Sequence, residues 1–335
     1  MFILQVEQYN RQPGDKSMQH NLTILSDNHP DAEAFAQSLR KRRRWGESGI
    51  ELLLLACGLL SIGTTLGIVY VLFKDALEFF ASPEVTLFKF LTGTVWQPQI
   101  GEFGVLPLLT ATIMITMIAM LIAVPIGLFI AIYLSEYARD NTRKWLKPTL
   151  EVLAGVPTVV YGYFALTFIT PILREIFGQD VVQIYNMASA GIVMGILIIP
   201  LIASMSEDAL HAVPNGLREA AYGMGATKLE TSLKVVLPAA LSGLAAAFII
   251  GISRGIGETM IVAIAAGAGP NLTLNPFEGA ETITGHIVRI SGGDISYESL
   301  DYLSLMALAL LLFLITFGLN LISQRIIKHF REEYE

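Results

Sequence analysis

The chain has 335 residues; 53% are hydrophobic and only 15% are charged, against about 25% charged in ordinary soluble domains. That balance, with its long apolar runs, points away from a soluble globule and towards a multi-span helical membrane protein. The one cysteine, Cys57, leaves no partner for a disulfide within the chain, and the formal net charge of −7 says little, because topology depends on where Lys and Arg sit.

Residues 1–49 are polar and end in Arg40, Lys41, Arg42, Arg43 and Arg44. Hydrophobic residues are too sparse there for a core, so a flexible or loosely ordered cytoplasmic tail is expected. The first apolar run starts too late and is too long for a signal peptide. The basic cluster reads as the cytoplasmic flank of a first span rather than a nucleic-acid patch.

A transmembrane domain of residues 50–330 follows, with residues 331–335 as a cytoplasmic end. Its class is all-α and polytopic, with six expected spans of about 20 residues or more. These are Leu52–Phe73, Val105–Leu134, Thr149–Leu173, Ile184–Met205, Ala239–Gly267 and Leu300–Ser323. Pro125 is expected to kink the second, and Gly155, Pro157 and Gly162 interrupt the third. Spans of this length exclude a β-barrel, whose strands run about ten residues with alternating polarity.

Lys and Arg orient the spans. The tail, the segment with Arg139, Arg143, Lys144 and Lys147, the segment with Arg218, Lys228 and Lys234, and the end with Arg325, Lys328 and Arg331 all lie on one side. The other side has only Lys74, Lys89, Arg174 and Arg289. The positive-inside rule therefore places both termini in the cytoplasm. Two large outer segments, 74–104 and 268–299, are rich in Gly, Pro and polar residues and are expected to cap a pathway and meet an external partner.

Within the cytoplasmic loop 206–238, Glu219–Pro238 reads EAAYGMGATKLETSLKVVLP. Gly225 permits a sharp turn between two short helices, and Ala220, Ala221 and Ala226 allow another surface to approach. Pro238 is expected to restart a helix in its first turn. Span five then carries Arg254 and Glu258 in its interior. At about 1.5 Å per residue, Arg254 lies about 24 Å beyond Pro238. One intramembrane charge costs about 2.5–3.5 kcal/mol on insertion scales, so two need a reason. Their i, i+4 spacing allows pairing on one helix face, and Gly251, Gly255 and Gly257 clear space around them.

Several motifs carry a family resemblance. Glu219, Ala220, Ala221, Gly225, Leu237 and Pro238 match the EAA loop of ABC-importer permeases, with Val235 in its Ile place. Ser253-Arg-Gly-Ile-Gly-Glu-Thr-Met260 is similar to the ARGIGET signature of phosphate ABC-transporter permeases, with Ser253 for the common Ala. Leu153-Ala-Gly-Val-Pro-Thr-Val-Val-Tyr-Gly162 and Gly269-Pro-Asn-Leu-Thr-Leu-Asn-Pro276 are similar to segments of the PstC-type subunit. The resemblance covers about residues 50–330, and the PstA-type subunit shares its EAA loop and Arg–Glu region.

The resemblance implies an ABC importer type I permease (MetI-like) fold in a bacterial inner membrane. It implies transport of phosphate, with the EAA loop docked on a PstB-type ATPase dimer and Arg254 and Glu258 in the pathway. A PstA-type second permease, a PstS-type phosphate-binding protein and membrane lipid are the other implied partners. A guanidinium presents a rigid fork suited to phosphate oxygens, and Glu258 is expected to compete with the anion for Arg254.

No intrinsic chemistry is expected. The sequence has no P-loop, no nucleophile–base arrangement, and no metal spacing among His20, His29, His211, His286 and His329. No catalytic residue, metal or resident cofactor is assigned; ATP and Mg would belong to the partner ATPase. The alternatives are a permease for another oxyanion such as molybdate or sulfate, a secondary transporter without an ATPase, and a scaffold that only recruits a soluble partner. The secondary transporter predicts inverted repeats, which the sequence lacks.

Overall fold

A computed structural model of the protein describes residues 45–293, 296 and 299–330. The basic cluster at residues 40–44, most of the tail and residues 331–335 lie outside the described residues. The chain divides into two units between Gly67 and Ile68. Helix α1 (Trp45–Ala81) runs through that boundary. Its residues 49–67 belong to the first unit and are exposed throughout, the surface that hydrocarbon solvates.

In the second unit, α1 ends under α2 (Leu87–Thr92) and a two-stranded hairpin, β1 (Trp96–Gln97) and β2 (Glu102–Phe103). Trp96 pairs with Phe103 and Gln97 with Glu102. Gly93 and Gly104 meet so closely that a Cβ on either would lie 2.6 Å or less from the other's backbone. Phe79, Phe90, Trp96 and Phe103 pack edge to face in this cap.

Helix α3 (Leu106–Ile132) is extended by a π-helical turn, Tyr133–Tyr137, and Pro125 sits inside it without breaking it. Helix α4 (Asp140–Ala154) is separated from α5 (Thr158–Phe164) by residues 155–157. A second π turn joins α5 to α6 (Thr170–Phe177). The third span therefore starts at Thr158, not Thr149. Residue 155 begins a turn, and the residue before a proline is pushed out of helical geometry.

Helix α7 (Met187–His211) is the most enclosed. Asn186 caps it by accepting from Ser189 N at 2.7 Å, and is itself held by donating to Thr170 Oγ1 at 3.3 Å. Gly191 and Gly195 let α3 lie against it; a Cβ at Gly195 would stand 2.9 Å from the Ala119 carbonyl oxygen. The largest apolar cluster is built from α3, α7 and α12, with Ile115, Met194, Leu197, Ile198, Ile202 and Ile261 all buried.

Helix α8 (Asn215–Gly223), α9 (Lys228–Thr231) with its π turn, and α10 (Leu237–Ala239) form the EAA loop. Helix α11 (Leu241–Gly257) leaves it after a 72° bend. Pro238 lies in the first turn of the short α10, as expected, but the bend falls beyond it at Ala240, so α11 opens after the proline. Counted from Leu241, Arg254 lies about 20 Å along, shallower than the sequence distance from Pro238 implied. The expected fifth span Ala239–Gly267 is two pieces, α11 and α12 (Met260–Ala265). Helix α13 (Ile283–Ser291) and α14 (Leu300–Phe330) complete the chain. Among the described residues five helices are long and apolar enough to cross a bilayer, or six with the bent pair around Ala240 as one span.

Candidate functional site

Three charged clusters and one helix break make up the candidate geometry. The first cluster is the EAA loop. Gly225 has φ of +86°, the left-handed turn the sequence required of it. Thr227 and Glu230 then form a capping box that starts α9. The Thr227 backbone and side-chain donors, then Lys234, hold the Glu230 carboxyl below its usual range. Glu219 and Ala220 are exposed, and so are Tyr222, Met224, Leu229 and Leu233, an apolar surface bordering the EAA residues. Ala221 is buried within the chain itself, so it packs the loop rather than presenting it.

Behind the loop sits Arg218. Its Nη2 donates to Glu136 Oε1 at 2.9 Å and to the Leu210 carbonyl at 2.8 Å. Its Nη1 donates to the Val213 carbonyl at 2.5 Å, and its Nε to Glu136 Oε1 at 3.2 Å.

The second cluster joins α4 to α7. Glu207 is fully buried, between Arg143 and Lys147. Lys147 Nζ lies 2.7 Å from Glu207 Oε2 and 2.5 Å from Asp208 Oδ1. Burial pulls the Lys147 ammonium down, but its bonds to Asp208 and Glu207 outweigh that and leave it raised. In the sequence these cations read only as topology markers; the signal that sequence reasoning passed over was the adjacent acids Glu207 and Asp208 at the end of an apolar segment.

The third cluster lies at the base of the hairpin. Trp96 Nε1 donates to His286 Nε2 at 3.0 Å, which puts the ring proton on Nδ1, 3.0 Å from Glu281 Oε2. Arg289 Nε and Nη2 donate to the same carboxylate at 2.6 and 2.9 Å. Burial raises the Glu281 carboxyl, but the His286 and Arg289 donors overcome it and leave it below its usual value. A cavity of about 460 Å³ opens beside Trp96, Arg289 and Asp301. Segment 268–299 is therefore more than an outer cap, since residues 280–286 are buried.

The helix break holds the sequence's leading candidates. Helix α11 stops at Gly257, and Glu258 is extended, with ψ of 136°. Its carbonyl accepts from Thr284 Oγ1 at 2.6 Å, and its buried carboxylate accepts from Met260 N at 3.2 Å. Arg254, in the last turn of α11, is exposed. Among the described residues no ion pair joins it to Glu258, and no side chain is hydrogen-bonded to its guanidinium. The expected i, i+4 pair fails because the helix ends before Glu258, so the two residues no longer share a helix face.

Residues 123–332 match the family described as binding-protein-dependent transport system inner membrane component. The chain belongs to that family. It is thus a permease component of the inner membrane, and all of the EAA loop, α11 and α12 lie within the match. It is 32% identical to the probable ABC transporter permease protein YqgH of Bacillus subtilis over 84% of this chain and 90% of that protein. It is 32% identical to the phosphate transport system permease protein PstC of Mesorhizobium japonicum over 69% of this chain and 75% of that protein. Its fold is that of the type I ABC-importer permeases. A crystal structure of a bacterial alginate ABC transporter, bound to its alginate pentasaccharide-bound periplasmic protein, superposes with a TM-score of 0.56. That likeness covers 86% of this permease and 99% of the alginate chain at 16% identity.

Proposed function

We propose that this permease forms half of the translocation pathway of an ATP-driven importer for inorganic phosphate. One observation carries the reading: among the described residues Arg254 has no side-chain partner, and it stands at the end of a broken span, whereas the enclosed Glu136, Glu207 and Glu281 each hold a cation elsewhere in the chain. An unpaired Arg at that depth is costly unless an anion meets it. Its planar fork suits two phosphate oxygens, and its attraction is stronger in a low-dielectric pathway than in water. The relatives named as phosphate permeases support the anion's identity.

Both termini and the EAA loop face the cytoplasm in this reading, as the Lys and Arg distribution requires. Glu219, Ala220 and the apolar side chains beside them dock on a PstB-type ATPase, which binds the ATP and Mg. A PstA-type permease closes the pathway opposite Arg254, and a PstS-type protein delivers phosphate from outside. No cofactor or catalytic step belongs to this chain. Glu258 does not share Arg254's charge at rest. It caps α12 instead and stabilises the break that leaves Arg254 free for the anion.

The test is purification of the complex with its ATPase and second permease, followed by uptake in proteoliposomes loaded with ATP. Phosphate should accumulate only with ATP and the binding protein, and excess sulfate or molybdate should not compete. Uptake without an ATPase, or uptake abolished by molybdate or sulfate, would overturn the reading.

A further inference from the structure

We propose that Arg218, through Glu136 and the last carbonyls of α7, is the pin that passes displacement of the EAA loop into the two central spans. The proposal rests on the reading that an ATPase moves this loop. Arg218 precedes Glu219 directly, so it sits in the coupling helix itself. Yet its side chain turns away from the docking surface and is only 13% exposed.

Three elements meet on this one guanidinium. Glu136 lies in the π turn that ends α3, and its side chain is 4% exposed. A π turn inserts a residue and re-aims the chain beyond it, and such turns concentrate at functional positions. The Leu210 and Val213 carbonyls belong to the last turn of α7 and the residues after it, where helix carbonyls lack intrahelical donors. Arg218 donates to the Val213 carbonyl, adds a donor to the Leu210 carbonyl that the Val213 N–H also reaches at 3.3 Å, and donates to Asn215 Oδ1 at 3.4 Å. Only arginine carries five donors in a rigid fork, so only arginine can bond the carboxylate and both carbonyls together.

The consequence is mechanical. Glu219 and Ala220 are exposed, so they take a push from outside without touching the spans. Of the polar contacts of α8, those of Arg218 reach both α3 and α7. Helices α3 and α7 in turn form the core that packs on α12, just beyond the break at Glu258. A shift of α8 therefore reaches the break through one buried ion pair and two packed helices. The plainer view is a static brace that holds α8 in place, and it makes a different prediction.

The experiment uses the whole reconstituted complex with two variants, Glu136→Gln and Arg218→Lys. In the first, the amide oxygen still accepts a hydrogen bond and Arg218 keeps its carbonyl partners, so folding is preserved. The readout is phosphate moved per ATP hydrolysed, together with the amount of ATPase that co-purifies. The proposal expects normal co-purification, ATP hydrolysis within about twofold of wild type, and a fall of about tenfold in phosphate per ATP, the ordinary size of a coupling effect. An unchanged ratio, even with both rates reduced, would make Arg218 a brace and overturn the proposal. So would a Glu136→Gln complex that fails to assemble, because the pair would then be a folding requirement. The wild-type arm separates the two ideas. If wild type moves another anion, the same ratio is read with that anion and the pin stands or falls on it. If wild type couples no ATPase at all, the pin falls together with the functional reading, having no lever to transmit.

Discussion

Arg218 and Arg254 are the same side chain in opposite settings. At the EAA end, Arg218 is enclosed and bonded to a carboxylate in the π turn of α3 and to two carbonyls at the end of α7. At the broken fifth span, Arg254 is exposed and bonded to no side chain among the described residues. A guanidinium saturated by protein acceptors can only hold parts together. One left without them keeps its donors for something that comes and goes, and a transport pathway needs binding weak enough to release. The neighbouring carboxylates follow the same division. Glu136 and Glu207 are spent on cations, whereas Glu258 is spent on a backbone N–H.

The largest test of that contrast is Arg254→Gln. Phosphate uptake should fall to background, more than about a hundredfold, since two charge-assisted bonds of about 1.5–3 kcal/mol each are lost. The thermal midpoint in detergent should not move, because no protein partner is orphaned. A drop in midpoint comparable with that of Glu207→Ala would mean that Arg254 has a structural partner after all. Arg254→Lys should recover part of the uptake, as a point charge without the fork.

Glu207→Ala comes next, with the opposite signature. It takes the carboxylate from Arg143 and leaves Lys147 only Asp208, each cation about a quarter exposed. The cost should sit at the low end of the about 3–5 kcal/mol typical of breaking a buried pair. Thermal unfolding and protease cutting between α4 and α5 would read it, while phosphate per ATP in the surviving complex stays near wild type.

Thr284→Val is smaller. It removes the donor on the Glu258 carbonyl, which should cost about 1 kcal/mol in stability. If the break also sets Arg254's availability, the apparent affinity for phosphate weakens in the same variant while Arg254 itself is intact.

The smallest effect is acid sensitivity at the hairpin. The Glu281 carboxyl is lowered in the folded protein, so its contribution is complete at neutral pH and is lost as the pH falls through the carboxylate range, below about 4.3. Trp96 fluorescence, in a chain with Trp45 and Trp145 replaced by Phe, should hold steady from pH 7 to about 5 and change only below that. Glu281→Gln should abolish the transition.

Much of this was legible beforehand. The first, second, fourth and sixth apolar segments, the EAA spacing and the turn at Gly225 are local properties, set by the order of neighbouring residues, and they appear close to where the sequence puts them. The unpaired state of Arg254 was not legible. It depends on a helix that stops at Gly257, and Thr284, on another helix, helps hold that stop in place. Nor could sequence show that the third span begins at Thr158 while α4 is strapped to α7 through Glu207. Lys147, Arg218 and Glu281 are ordinary charged letters until the fold brings distant acceptors to them.

The chain by itself therefore determined that it is a multi-span helical membrane protein with a sharp turn between short helices at Gly225, because hydropathy, helical period and turn chemistry act over a few residues. Tertiary structure alone decided which charges are bound and which are free. An ion pair or a helix break at this depth is settled by groups tens of residues away, and their approach depends on packed helices that no local pattern encodes.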